Sequence, residues 1–237
     1  MVKQHWWILI TYILMQLSGF VGIPLLHAIG VTDDPLAIEG FVIWSLTSFS
    51  IGLIIVLILS RNSGDYPFRK AEKKPVSESI GWIVIGIVLA FSVQVVAAFI
   101  EMKLFNIEPG SKNTEQLIAV TKSFPYFVFV FTVIGPILEE IVFRQIIFGA
   151  IYQRFNFLIA VFVSSLIFGI VHGELEHMFI YTSMGAVFAY IYIKTKRIIV
   201  PIAAHVAMNT LAAAPAIFPD QLQDFQNNLQ QMIGGFS

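Results

Sequence analysis

There is no cysteine anywhere in this chain. Disulfides, thiolate metal sites and a cysteine nucleophile are therefore excluded, and the redox state of the compartment leaves no trace. Charge is scarce as well: Asp, Glu, Lys and Arg supply 12% of 237 residues, against roughly a quarter in an ordinary soluble domain. The 14 basic and 15 acidic side chains sum to −1, so no basic field suits the chain to nucleic acid. No polar stretch is long enough for a separate soluble domain, and neither an internal repeat nor a low-complexity tract is visible. What is present is 57% hydrophobic, with a mean hydropathy of +0.80. That is the composition of a multi-pass protein whose solvent is lipid. At about 20 residues per span, the chain has room for seven or eight helices, an all-α polytopic bundle forming one domain over residues 1–237.

Hydropathy divides the chain into about seven apolar runs. The first, residues 6–26, follows Lys3 and lacks a small-x-small cleavage site, so it reads as a retained span rather than a signal peptide. Asp33, Asp34 and Glu39 make the next connection acidic, and a second run covers residues 41–59. The loop beyond it carries Arg61, Arg69, Lys70, Lys73 and Lys74. A third span, residues 80–100, leads into the longest connection, 101–123, which contains Glu108-Pro109-Gly110-Ser111 and a surface helix near 114–122. Apolar character then continues from 124 to 152, from 157 to 172, from 178 to 193, and from about 198 to 218, where it fades into a glutamine-rich tail read as surface helix or disorder. Basic loops, including Lys194, Lys196 and Arg197, alternate with acidic or neutral ones. This alternation predicts a cytoplasmic N-terminus and an outside C-terminus. In the turn Gly173-Glu174-Leu175-Glu176-His177, the side chains of Glu174, Glu176 and His177 read as solvated.

The fourth run contains Gly135-Pro136-Ile137-Leu138-Glu139-Glu140-Ile141-Val142-Phe143-Arg144. A charge near the bilayer centre costs roughly 2.5–3.5 kcal/mol, so two adjacent glutamates there need a use. Glu140 precedes Arg144 by four positions, the better orientation for an ion pair on one helical face. Glu139, about 100° further round the helix, is left without a local partner and becomes the candidate general base. Gly135-Pro136 should kink the helix just before the doublet. The other ionisable groups within spans are His172 and His205, with Asn209 one turn after His205. At about 1.5 Å per residue, Glu140 lies about 21 Å from Arg154, His172 about 24 Å from Asn156, and His205 and Asn209 about 12 and 18 Å from Arg197. These depths overlap, so three helices could meet at one polar site.

Each residue also has a simpler reading. A Glu–Arg pair can tie helices together, a lone histidine can be a hydrogen-bonding strut, an asparagine can join two membrane helices, and Phe143 and Phe168 can be packing residues. Independent struts, however, need not share a depth or supply a base, a proton shuttle and a donor together. Elimination narrows the chemistry. No aspartate falls within a span, there is no His-Glu-x-x-His helix, and Ser164 and Ser165 lack a glycine-serine nucleophile loop. A water activated by Glu and His remains. Glu139 would take its proton while His172 orients it, His205 and Asn209 would meet the charge growing on the carbonyl oxygen, and Glu139 would return the proton to the leaving amine.

The pattern resembles the CAAX protease and bacteriocin-processing family, also called the Abi family, whose members include type II CAAX prenyl endopeptidases and are regarded as intramembrane glutamate proteases. Its E-E-x-x-x-R is Glu139 to Arg144, its F-x-x-x-H is Phe168 to His172, and its H-x-x-x-N is His205 to Asn209. The resemblance covers about residues 124–211. It implies a metal-free and cofactor-free endopeptidase in which Glu139 and His172 activate water, His205 and Asn209 form the oxyanion site, and Glu140, Arg144 and Phe168 support them. It also implies a membrane-associated peptide or protein substrate and a bacterial plasma membrane; the bacterial branch is associated with peptide maturation, bacteriocin self-immunity and signalling-peptide processing. Two alternatives stand beside this reading. One is a zinc metalloprotease with Glu139, His172 and His205 as ligands. The other is a non-catalytic immunity protein, scaffold or carrier.

Overall fold

The structure, a computed structural model, describes residues 1–33, 38–61, 66, 72–108 and 110–218, apart from the side chains at 215 and 216. Asp34, Arg69, Lys70, Pro109 and the glutamine-rich tail from 219 lie outside the described residues. Among the described residues there are helices and turns and no strand. The chain is an all-α membrane protein.

The first apolar run is two helices rather than one, α1 (Lys3–Leu17) and α2 (Gly19–Ala28), bent by 48° at Ser18. The corner has a local cause. Ser18 turns its hydroxyl back onto the Met15 carbonyl at 2.7 Å and accepts from Trp44 Nε1 at 2.9 Å, while Gly19, Gly22 and Pro24 weaken the helix that follows. Trp44 belongs to α3 (Ile38–Arg61) and packs directly on Gly22. Next comes α4 (Val76–Phe105), which runs past the expected end at residue 100 and stops where Asn106 adopts a left-handed conformation (φ 55°). The extra turn brings Glu101 into the helix. The surface helix α5 (Lys112–Ser123) begins two residues before the expected start, capped by Ser111, whose Oγ accepts from Thr114 N at 3.0 Å.

The doublet lies on α6 (Pro125–Tyr152). Gly135-Pro136 does not break this helix. Instead the winding widens to π-type over Val130–Ile134, returns to α over Gly135–Glu139, and widens again over Glu140–Phe148. Proline lacks an N–H to donate, and Thr132 spends its hydroxyl on the Val128 carbonyl at 2.8 Å; the chain absorbs both by shifting its hydrogen-bond register, a habit frequent at functional sites. The bundle is completed by α7 (Phe157–Val171), α8 (Met178–Thr195) and α9 (Ile199–Ile217).

By length and composition, three described helices can cross a membrane alone, namely α3, α4 and α6, and the bent α1–α2 pair makes a fourth. The remaining apolar helices are shorter: α7 has 15 residues, roughly 22 Å at about 1.5 Å per residue, less than the ~30 Å core. In its most apolar window α6 is 56% buried, against 22% and 17% for α3 and α4, which makes α6 the centre of the bundle and leaves α3 and α4 with apolar outer faces. Around it Leu138, Ile141, Val142, Phe143 and Ile146 pack with Ile8, Tyr12 and Met15 of α1, Val56 of α3 and Phe168 of α7. A second core joins Ala90, Phe188, Ile191, Val200, Ala204 and Met208. Small residues let the helices approach closely: a Cβ on Gly86 of α4 would lie 2.7 Å from Ile191 and 3.3 Å from Ala204.

Candidate active site

The change in winding on α6 falls between the two glutamates. Glu139 ends the α-helical turn and Glu140 begins the π stretch, and both reach His205 of α9. Glu140 Oε1 accepts from His205 Nδ1 at 3.1 Å, and Glu139 Oε2 lies 3.8 Å from His205 Nε2. Glu140 Oε2 faces Arg144 Nε at 3.2 Å, and both side chains are 0% exposed. The Arg144 guanidinium also lies over the Phe168 ring, 4.6 Å from its centroid, and the two Nη atoms make no hydrogen bond to described residues. The charge of Arg144 is thus met by a carboxylate on one side and an aromatic face on another. The expected Glu140–Arg144 pair is present, but it is not self-contained: it extends to His205, whose ring stacks on Phe188 at 4.7 Å and 19°.

His172 ends α7 and approaches from another side. Its Nδ1–H donates to the Phe168 carbonyl at 2.7 Å, which fixes the tautomer and leaves Nε2 as the free ring nitrogen. Phe168 is central to the arrangement, with its ring 4.4 Å from His172, 6.1 Å from His205 and 5.2 Å from Phe143. Asn209 donates one amide N–H to the Phe131 carbonyl at 2.9 Å, which aims its amide and leaves a second N–H. Glu139, His172, His205 and Asn209 all line one cavity of about 410 Å³. Glu139 keeps 20% of its side chain exposed there, while Glu140 and Arg144 are sealed behind it. Tyr12, Gln16, Ser45 and Ser48 reach the same cavity from α1 and α3, among apolar Met15, Ile23, Phe41, Trp44 and Phe49. The site is accordingly open on an apolar side and closed on a charged one.

The turn after His172 is not the solvated loop expected from the sequence. His177 is 4% exposed and donates through Nδ1 to Glu101 Oε2 at 2.9 Å; Glu101 is 2% exposed and accepts from the N–H groups of Phe179 and Ile180 at 3.1 and 3.2 Å. Glu101 thereby caps the start of α8 from α4, since a buried carboxylate facing a helix N-terminus satisfies donors the helix cannot. Half-buried Glu174 accepts from Asn113 N, Ser111 Oγ and Tyr181 OH at 2.8, 2.7 and 2.7 Å. Burial works to raise its carboxyl, but these three donors, with His177 nearby, outweigh it and hold Glu174 below the ordinary carboxylate range. Only Glu176 matches the expectation, in an exposed pair with Lys112 at 3.3 Å. Sequence reasoning missed Glu101 because it directly follows an apolar run, where an acid usually marks the interface. It missed Tyr181 because an aromatic on a membrane helix is ordinary. Among the described residues, no three His, Asp or Glu side chains are grouped as a metal ion would require.

A helical membrane bundle in which Glu139, His172, His205 and Asn209 line one cavity, with Glu140 and Arg144 sealed behind them, defines an integral membrane protein with a polar site among its helices. The chain belongs to the type II CAAX prenyl endopeptidase Rce1-like family, whose model matches residues 121–211, the stretch holding every residue from Glu139 to Asn209. It is 41% identical over 241 aligned positions to "Putative membrane peptidase YdiL" of Bacillus subtilis (strain 168), covering 99% of both chains. It is 31% identical over 217 positions to "Membrane-embedded CAAX protease MroQ" of Staphylococcus aureus (strain USA300), covering 88% of both. No solved structure matches the chain. The molecule is a membrane-embedded protease of this family.

Proposed function

We propose that the chain is a glutamate-type intramembrane endopeptidase acting on a membrane-associated peptide or protein, working as a single domain with its catalytic core in residues 124–211. The observation that carries this is the convergence of Glu139, His172, His205 and Asn209 on one cavity. A water between Glu139 and His172 Nε2 loses its proton to the Glu139 carboxylate as its oxygen attacks the scissile carbonyl carbon. The oxyanion that forms is met by the second Asn209 N–H and by His205 Nε2–H. His205 presents Nε2 to the cavity while its Nδ1 is held 3.1 Å from Glu140, which fixes the direction of the ring. Collapse of the intermediate breaks the C–N bond, and Glu139 returns its proton to the departing amine.

The apolar walls beside the catalytic groups suit a hydrophobic stretch of polypeptide, which needs little desolvation there, and Ser45, Ser48 and Gln16 can bond its backbone. The decisive experiment is Glu139→Gln in the full chain, in membranes. Cleavage should cease while the folded protein remains in the bilayer, and a wild-type rate in that variant would reject the mechanism. The inactive variant also serves as a trap, since mass spectrometry of copurifying peptides identifies the substrate.

A further inference from the structure

The His172 imidazole is held from several sides, and one of its contacts leads out of the site. Nδ1–H is tied to the Phe168 carbonyl, which fixes the tautomer but not the plane of the ring. The Phe168 ring lies 4.4 Å away, tilted by 57°. The Tyr181 ring is stacked on the imidazole, with centroids 4.2 Å apart and planes 26° apart. Tyr181 is itself anchored at its far end, because its hydroxyl donates to Glu174 Oε2 at 2.7 Å. Glu174 is then fixed by the start of α5, through Ser111 Oγ on the same oxygen and Asn113 N on the other. Ser111 Oγ also lies 3.1 Å from the Tyr181 hydroxyl. A phenol has two torsions, and here the stack holds one end of the ring and a carboxylate the other.

We propose that Tyr181 is the positioning residue for His172: its ring sets the plane of the imidazole, and Glu174, held by Ser111 and Asn113, sets the plane of Tyr181. The inference rests on the reading of His172 as the group that orients the attacking water. The docking of α5 is thereby coupled to the direction in which His172 Nε2 points, although no residue of α5 touches the ring in this chain of contacts. Misplacing a reacting group by about 1 Å can cost on the order of 10²-fold in rate, so a plane set by stacking is a sufficient lever on turnover.

The test uses the full chain in detergent micelles with ¹³C-labelled histidine. The sequence has five histidines, and the His172 signals are assigned by their loss in His172→Gln. Tyr181→Leu should move the His172 ring signals while leaving those of His5 and His27 in place. On a peptide recovered with the Glu139→Gln trap, it should lower kcat at least about tenfold with KM within about threefold. Tyr181→Phe, which keeps the stack but loses the bond to Glu174, should fall between wild type and Tyr181→Leu in both kcat and the position of the His172 signals. Glu174→Gln provides a second reading if Tyr181→Leu does not fold, with a smaller movement of the same signals. Unmoved His172 signals in the folded variants would overturn the proposal, as would a Tyr181→Leu effect confined to KM, which marks a substrate contact instead. A His172→Gln enzyme that cleaves at the wild-type rate would sink the water-orienting role, whatever the labelled spectra show about Tyr181.

Discussion

His205 stands between the two glutamates, 3.1 Å from Glu140 through Nδ1 and 3.8 Å from Glu139 through Nε2. The neighbours in sequence divide their labour by burial. Glu140 is sealed against Arg144 at 0% exposure, while Glu139 keeps 20% open to the cavity. A carboxylate that cannot reach solvent or substrate acts on its histidine, and one that can reach both can act on water.

Arg144 offers the first test of that division. Removing one partner from a buried charge pair typically costs about 3–5 kcal/mol, because the other charge is stranded. Arg144→Met should therefore lower thermal stability in detergent by about that amount, and Arg144→Lys should recover little of it, since an ammonium does not replace the planar, delocalised guanidinium that lies over Phe168. Glu140→Gln strands the Arg144 charge in the same way and should cost a similar amount, and it should also lower kcat by about 10²-fold, because His205 loses the carboxylate that holds its Nδ1. Equal kcat in wild type and Glu140→Gln would show that His205 works without it.

Gly22 provides a packing test away from the charges. A Cβ there would overlap the Trp44 ring, which is rigid and is held by its Nε1 bond to Ser18. Gly22→Ala should destabilise the fold by about 1–3 kcal/mol, the usual cost of overpacking. Because Trp44 also lines the cavity, KM should change more than kcat; an unchanged thermal midpoint would mean that the α2–α3 contact gives way freely.

Much of this could be read from residue types and spacing, and the limits of that reading are physical. The charges on α6, α7 and α9 were legible because a carboxylate or imidazole in an apolar run has to be accounted for, and Glu139, His172, His205 and Asn209 do line one cavity. The winding was not legible. Reading Gly135-Pro136 as a kink gave no sign of the π turns on either side, through which the helix stays continuous. The bend at Ser18 escaped notice because hydropathy is blind to a hydroxyl turned onto the backbone. Glu101 with His177, and Glu174 with Tyr181, were invisible for a different reason. Each pair is separated in the chain or placed at an apparent interface, and only packing brings the partners together.

Glu174 carries a prediction in pH. Its carboxyl is held below the ordinary range by the Asn113 amide and the Tyr181 and Ser111 hydroxyls, which overcome the opposing effect of burial. A carboxyl whose folded pKa is depressed contributes stability above its unfolded pKa and loses it as pH falls through the folded value. Wild type should therefore exceed Glu174→Gln in thermal midpoint at neutral pH, and the gap should close as pH drops below the ordinary carboxylate range. A gap that stayed constant across that window would mean the hydrogen bonds do not favour the ionised form.

Asn209 separates oxyanion stabilisation from simple helix joining. One of its N–H groups is committed to the Phe131 carbonyl, a contact between α9 and α6, and only the second is available to a substrate. Asn209→Ala loses both, so a change in activity alone would leave the two functions mixed. Asn209→Asp loses both donors as well, and adds a negative charge in the cavity that holds Glu139. If the second N–H faces the growing oxyanion, Asn209→Asp should fall below Asn209→Ala in kcat, with each at least about 10²-fold below wild type. Asn209→Gln, which restores donors one methylene further out, should retain stability without restoring the rate, because the donors must sit within about 3 Å of the oxygen that acquires the charge. Thermal midpoints measured beside kcat complete the test: a joining role predicts that rate and stability fall together across the three variants, and an oxyanion role predicts that they part.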